Sequence, residues 1–275
     1  MNRIGARLSD FGKFEHPKEL FTKVLAHGYN CGQLVLFKSF NEIDSYQSAV
    51  SDSIVCSISE SMADNDFTIP VLGCYHDLQD RSQRKIILEN FERYCAIAAK
   101  LKASCIGTES SFALKENFDK DTINYVLKIT EELNNIAFKH DVCLGLEFCA
   151  YHPYSDIKVF EKILSSVSHP EYLRLIFDPA NILADSMLAK QHEVMKLWVS
   201  KYRHLICAVH AKNFKFNEQG KRVRTSLKEG LVDFAYIAKL FEFYDVHAPI
   251  LREEPYVDNE EIEKDDLEIL RTLCN

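Results

Sequence analysis

Two hydrophobic rhythms alternate along the chain. Short, nearly continuous apolar runs fall near 2–7, 32–37, 70–74, 104–108, 142–148, 172–177, 205–210 and 249–253. Between them, near 17–27, 48–64, 82–102, 119–140, 156–167, 187–202, 232–243 and 260–273, apolar residues return every three or four positions. Runs such as VCLGL and LICAV suit parallel strands covered on both faces. The longer segments suit helices that bury one stripe. Ile87, Phe91, Tyr94, Ala98 and Leu101 form one stripe, and Val126, Ile129, Leu133 and Ile136 another. Pro17 opens the first helix, where its missing N–H costs nothing.

Repeated strand–helix alternation predicts right-handed βαβ units. Eight such units in 275 residues predict an α/β fold of the closed kind, a (β/α)8 TIM barrel occupying 1–275 as a single domain. The rival is an open doubly wound sheet, which normally carries a glycine-rich phosphate turn after an early strand. The nine glycines here include no GxGxxG run. Irregular stretches at 38–47, 109–118, 148–156 and 211–231 follow predicted strands, where βα loops build a barrel's active site.

Composition narrows the partners. Hydrophobic residues make up 47% and charged residues 27%, ordinary values for a chain with a substantial core. The net charge is -8 with no basic stripe, so no nucleic-acid partner is expected. No stretch approaches the ~18 apolar residues of a membrane span. The opening MNRIGARLSD lacks the apolar region of a secretory leader. The nine cysteines form no CxxC pair, and Cys74, Cys105, Cys143 and Cys207 sit in apolar runs as small hydrophobes. A reducing, cytoplasmic location is expected. Phe241, Phe243 and Tyr244 suggest either a homo-oligomer through the helix at 232–243 or packing against the barrel.

The chemistry gathers at the ends of the last four strands. Glu147 closes VCLGLEF, Asp178 closes LRLIFDP, His210 closes LICAVHAKN, and Glu253 lies in PILREEP. Each alone has an ordinary explanation: a helix cap, a turn opener before Pro179, a core histidine, a surface charge. Together they share one end of one barrel, and buried charges need a partner. Three carboxylates and an imidazole suit one divalent metal ion, Mn, Mg, Co or Zn, and the lack of a thiolate cluster weakens a structural-zinc reading. Such an ion holds neighbouring oxygens of a polyol or hydroxy-ketone and stabilises an enediolate, while carboxylates beside it move a proton on and off carbon. Strand alternation lets only one of Glu253 and Glu254 point inward. If Glu253 does, Arg252 turns outward to the acids of the last helix.

These runs resemble the xylose-isomerase-like sugar-phosphate isomerase/epimerase superfamily of metal-dependent barrels, which also holds ketose 3-epimerases, inosose dehydratases and endonuclease IV. LGLEF, IFDPANIL, AVHAKNF and ILREEP carry the likeness, supported by GCYHDL, IGTES and KEGLVDF. It extends over nearly the whole chain, and the order and spacing of the motifs are more specific than any one of them. The resemblance implies metal ligands at Glu147, Asp178, His210 and the strand-eight glutamate. It also implies that Glu147 and that glutamate flank the substrate as acid and base. Glu-x-Pro spacing favours Glu253, with Glu254 its rival. His76 and Glu109 resemble outer-sphere or substrate-contacting positions. Lys212 lies in HAKN, where the family commonly has His-x-Lys-Asp, so Asn213 puts a charge role at that position in doubt. From their loops, His152 and Asn181 are further candidates for substrate contact. His152 could instead sit exposed, and Asn181 could serve the start of a helix.

The leading expectation is a metal-dependent isomerase or epimerase of a small sugar, polyol or hydroxy-ketone. A lyase dehydrating a related polyol, or a catalytically silent metabolite-binding barrel, are the alternatives. A repair endonuclease is disfavoured by the acidic balance and by the few histidines at strand ends. Phosphate recognition would draw on Lys212, Lys215, Lys221, Arg222 and Arg224, of which the last three look like a solvated loop.

Overall fold

Eight strands, all parallel, hydrogen-bond neighbour to neighbour and close on themselves. The computed structural model describes residues 3–274, so the part of the 2–7 and 1–275 expectations at 1, 2 and 275 lies outside the described residues. The strands are β1 (Ile4–Arg7), β2 (Cys31–Leu34), β3 (Thr68–Gly73), β4 (Cys105–Thr108), β5 (Cys143–Glu147), β6 (Leu173–Phe177), β7 (Ile206–Ala211), β8 (Asn213–Phe216), β9 (Arg222–Thr225) and β10 (Ile250–Arg252). The helices are α1 (Pro17–Ala26), α2 (Leu36–Ser39), α3 (Asp52–Asp64), α4 (Arg84–Leu101), α5 (Lys120–Lys139), α6 (Ile157–Ser166), α7 (Pro179–Ile182), α8 (Gln191–Tyr202), α9 (Phe234–Tyr244) and α10 (Glu260–Leu273). This is the (β/α)8 barrel that the alternation predicts.

Local chemistry sets the boundaries. The side chain of Asp119 accepts from Thr122 N and starts α5, and Ser51 does the same for α3 through Ile54 N. Both expected stripes, Ile87 to Leu101 and Val126 to Ile136, are buried. Outward residues of the strands meet those helices. Phe148, Phe160 and Trp198 pack ring on ring between the end of β5, α6 and α8, with centroids 5.1 to 6.0 Å apart. A separate inner cluster joins the thiols of Cys31 and Cys105 to Val71, Ile176, Ala208 and Leu251. A Cβ on Gly107 would lie 2.6 Å from Val71, so only glycine lets the inner layer close there.

Three elements differ from expectation: the strand expected over 32–37 gives way to α2 at Leu36, α7 forms at Pro179–Ile182, and a hairpin forms after β7. The stretch 211–231 is not wholly irregular, since β8 and β9 form an antiparallel hairpin with Asn213 opposite Thr225. Its turn is held by Asn217 Oδ1, which accepts from Gln219 N and Lys221 N, and by Gly220 at φ 69°. The strands are four residues each and mix polar, charged and apolar positions, so they carry no buried-strand run. The basic residues there do not form a phosphate site. Arg222 donates to Asp185 and to the carbonyls of Ala180 and Leu183, and Arg224 donates to Pro255 O. Lys215 and Lys221 are exposed.

The aromatic patch on α9 also divides. Phe241 is buried against Phe177, so packing against the barrel is right for it, whereas Phe243 is 78% exposed. All nine cysteines are free. Among the described residues no helix is long and apolar enough to cross a membrane.

Candidate active site and metal centre

Register brings the strand-end residues together. Glu147 ends β5 opposite Ile176, two residues before Asp178, and His210 on β7 lies opposite Leu251, two before Glu253. All four are buried. One ligand atom each from Glu147, Asp178 and His210 lies within 4.8 Å of the others. His210 Nδ1 is 3.4 Å from Glu147 Oε2, 3.5 Å from Glu253 Oε1 and 3.9 Å from Asp178 Oδ2. Neither ring nitrogen of His210 has a hydrogen-bond partner. A buried imidazole with both nitrogens free, faced by carboxylates, is a donor set that a divalent ion fits.

Glu253 faces the cluster, but both its oxygens are engaged by cations. Lys212 Nζ is 2.7 Å from Glu253 Oε2 and 2.8 Å from Asp178 Oδ2, and Arg7 Nη1 is 3.2 Å from Glu253 Oε1. Glu254 turns away: its φ is 55°, its N–H donates to Asp10 Oδ2, and its side chain is 42% exposed. Arg252 points outward, as alternation requires, and meets Asp266 of α10.

The charges respond to this crowding. Burial alone would raise the Glu253 carboxyl, but Lys212, His210 and Arg7 outweigh it and hold it well below the usual carboxylate range. Burial lifts Asp178 to about 6 despite Lys212. Glu147 is lowered, because His210 overcomes the burial penalty. Burial opposes charge on His210, yet Glu147 and Glu253 bring its pKa up to about 9. Burial and the nearby Glu147 push Glu109 up to about 8, so this carboxyl stays largely protonated at neutral pH.

A cavity of about 570 Å³ opens at the C-terminal ends of the strands, lined by Glu147, Glu253, Glu109, His76, Asn181 and Lys212 among others. Asn181 Nδ2 donates to Glu147 Oε1 at 2.8 Å, while its N–H is capped by Asp178 Oδ1, so it both starts α7 and holds Glu147. Tyr75 OH donates to the other Glu147 oxygen and accepts from Gln33 Nε2. His76 leans on the ring of Tyr46 at 4.5 Å, and burial lowers its pKa to about 4. His152 is buried, not exposed. Its Nδ1 is 3.4 Å from Glu109 and it stands outside the cavity lining. Asn213 is buried below the site: its Oδ1 accepts from Phe214 N and Val232 N, and its amide donates to the carbonyls of Leu227 and Val232.

Sequence reasoning missed Arg7, Gln33, Lys38 and Tyr75. Arg7 closes its strand just as Glu147 does, so the strand-end rule would have found it. Tyr75 adjoins His76. Gln33 and Lys38 carry no local signal.

A closed parallel barrel whose C-terminal mouth carries a buried Glu–Asp–His cluster able to hold a metal ion is the class of protein that fold and site define. The chain belongs to the xylose isomerase-like TIM barrel family, whose model matches residues 21–273. No curated protein matches its sequence. Among solved structures it is similar to IolI protein with a bound zinc atom, at 14% identity, with a TM-score of 0.74 and coverage of 99% of this chain and 98% of that one. It is similar to the probable 3-DHS dehydratase AsbF from Bacillus anthracis, at 16% identity, TM-score 0.74, covering 98% and 99%. It is also similar to the 3-keto-D-glucoside 4-epimerase YcjR from E. coli, at 14% identity, TM-score 0.70, covering 99% and 100%. At such identities the likeness establishes the fold.

Proposed function

We propose that this protein is a divalent-metal-dependent isomerase or epimerase of a small sugar, polyol or hydroxy-ketone. The observation that carries the reading is the convergence of Glu147, Asp178 and His210 within 4.8 Å of one another, beside a cavity of about 570 Å³ that has room for a small polyol. Glu147, Asp178, His210 and Glu253 would hold the ion. Mn, Mg, Co and Zn all suit such ligands, and the zinc of IolI supports metal use by this fold. When bound, the ion polarises a substrate carbonyl and so acidifies the neighbouring C–H.

The chain's own residues do the rest. Glu147 and Glu253 lie in the cavity wall on different strands, and their carboxylates take a proton from carbon and return it. Asn181 and Tyr75 fix the orientation of Glu147, and Lys212 keeps Asp178 and Glu253 ionised. His76, Glu109, Asn181 and Lys212 offer hydrogen bonds to substrate oxygens, with His152 behind Glu109. A second reading, dehydration of a related polyol, has its own support. The protonated Glu109 faces the same cavity as a proton source for a departing hydroxyl, and the fold is shared with a probable dehydratase.

The test is Mn²⁺ loading of the purified protein, followed by NMR of deuterium exchange into ketoses and hydroxy-ketones in heavy water. Stoichiometric uptake with carbon–proton exchange that Glu147→Gln abolishes is expected. Loss of water in place of exchange would select the lyase. Uptake with neither reaction would leave a metabolite-binding barrel, and no uptake would overturn the metal reading.

A further inference from the structure

Four cysteines begin barrel strands at the end away from the cavity. Cys31, Cys105 and Cys143 are the first residues of β2, β4 and β5, and Cys207 is the second of β7. Parallel strands send their C-terminal ends to one mouth, so these four lie on the opposite floor, remote from Glu147 and His210. Cys31 and Cys105 are fully buried in the inner cluster. Cys143 and Cys207 pack against it and keep part of their surface in solvent.

Two of these thiols touch. Cys207 Sγ lies 3.5 Å from Cys105 Sγ, although β5 and β6 stand between their strands. Cys105 donates its S–H to Pro70 O, so a sulfur lone pair faces Cys207, whose S–H points toward Cys105 and Leu175 O. Glycine at 145 leaves the room for this, since a Cβ there would lie 2.6 Å from Cys105 Sγ. Bonded sulfurs stand ~2.05 Å apart, so about 1.5 Å of approach separates this contact from a disulfide. Cys207 is the thiol of the pair that an oxidant in solvent reaches, and Cys105 is the sealed thiol already aimed at it. Burial pushes the third thiol, Cys143, above its ordinary range against the pull of Arg174, which makes it the poorer nucleophile.

We propose that Cys207 and Cys105 are an oxidative modification site, joined as a reversible disulfide when a hydroperoxide reaches the barrel floor. With hydrogen peroxide, the Cys207 sulfur attacks one oxygen, the O–O bond breaks, and Cys207 sulfenic acid and one water result. The Cys105 lone pair then attacks the Cys207 sulfur, the S–O bond breaks, and the hydroxide leaves with the Cys105 proton as a second water. Two thiols are oxidised by two electrons and one peroxide is reduced. The bond staples β4 to β7 between residues 102 apart in sequence, a long closure that opposes unfolding.

The test treats the folded protein with hydrogen peroxide, alkylates the remaining thiols and maps linked peptides by mass spectrometry. The expected product has lost the mass of two hydrogens, links Cys105 to Cys207, and reverts with dithiothreitol. Its Tm should lie about 5 °C or more above that of the reduced protein. Cys143→Ser should still form the link and Cys207→Ser should not. Cys105→Ala should leave Cys207 as a sulfenic acid that dimedone captures. A link through Cys143, oxidation confined to the exposed Cys56, or over-oxidised Cys207 without a link would overturn the proposal. A link that leaves the Tm unchanged or lower would overturn the staple.

Discussion

Arg252 and Asp266 form an ion pair that is almost wholly buried, with Arg252 Nε 2.9 Å and Nη2 2.8 Å from Asp266 Oδ2. The guanidinium also donates to the carbonyls of Ala211 and Glu253, and Asp266 Oδ1 accepts from Leu227 N. One pair therefore ties α10 to the ends of β7 and β10 and to the segment after the hairpin. Asp266→Ala would leave a buried guanidinium without its counter-ion. The expected loss is about 3–5 kcal/mol, read as a lower midpoint in urea denaturation.

Asn181 acts on the candidate metal centre through Glu147. Asn181→Ala removes the bond that orients Glu147 Oε1 and leaves the Asp178 cap of α7 on a backbone N–H. Mn²⁺ affinity should weaken about 10- to 100-fold, with little change in metal-free stability. Competition with a chelating dye measures the first and thermal unfolding the second.

Metal binding should release a proton. His210 is raised to about 9 in the metal-free protein, by Glu147 and Glu253 against burial, and only the neutral imidazole ligates. Below that pH the ion must displace the proton, so the apparent Kd for Mn²⁺ should fall about tenfold per unit as pH rises toward 9, then flatten. A pH-independent Kd between 6 and 8 would remove His210 from the ligand set.

Glu109 makes stability depend on pH in an unusual direction. Its folded pKa of about 8 lies above that of an ordinary glutamate, chiefly from burial. Stability is therefore fully present below about 4.5 and drains away as pH rises through 8, because the folded state resists ionisation. Glu109→Gln should raise the Tm of the metal-free protein, with the gain growing from about pH 5 to 8 and levelling beyond. An equal gain at all pH values would show that the carboxyl ionises normally.

Asn213 answers the doubt raised by the missing family aspartate. Its amide gives two hydrogens to carbonyls, and its oxygen accepts two backbone N–H groups, in a pocket where a Cβ on Gly230 would collide with it. A carboxylate accepts only, so Asn213→Asp would strand two buried carbonyls against a negative charge. A loss of roughly 2–4 kcal/mol is expected in denaturant unfolding.

Much of this was readable before folding. The eight runs, the barrel and the burial of Glu147, Asp178 and His210 at strand ends follow from local patterning. So does the opposite facing of Arg252 and Glu253, since side chains alternate along a strand. The hairpin was not readable, because its four-residue strands are too short and mixed to show a period. The engagement of Glu253 by Arg7 and Lys212 was not readable either, nor the placement of Lys38, nor that Phe241 is buried while Phe243 is exposed.

The sequence by itself determined which residues end strands and which face of each element is apolar. These depend on periods of two and 3.6 residues, written in neighbouring positions. Only the tertiary structure decided which charge meets which. Closing the barrel sets Arg7, Glu109, Lys212 and Glu253 around one cavity, and the pairing of Arg7 and Lys212 with Glu253 and the protonation of Glu109 arise from distances between parts of the chain far apart in sequence.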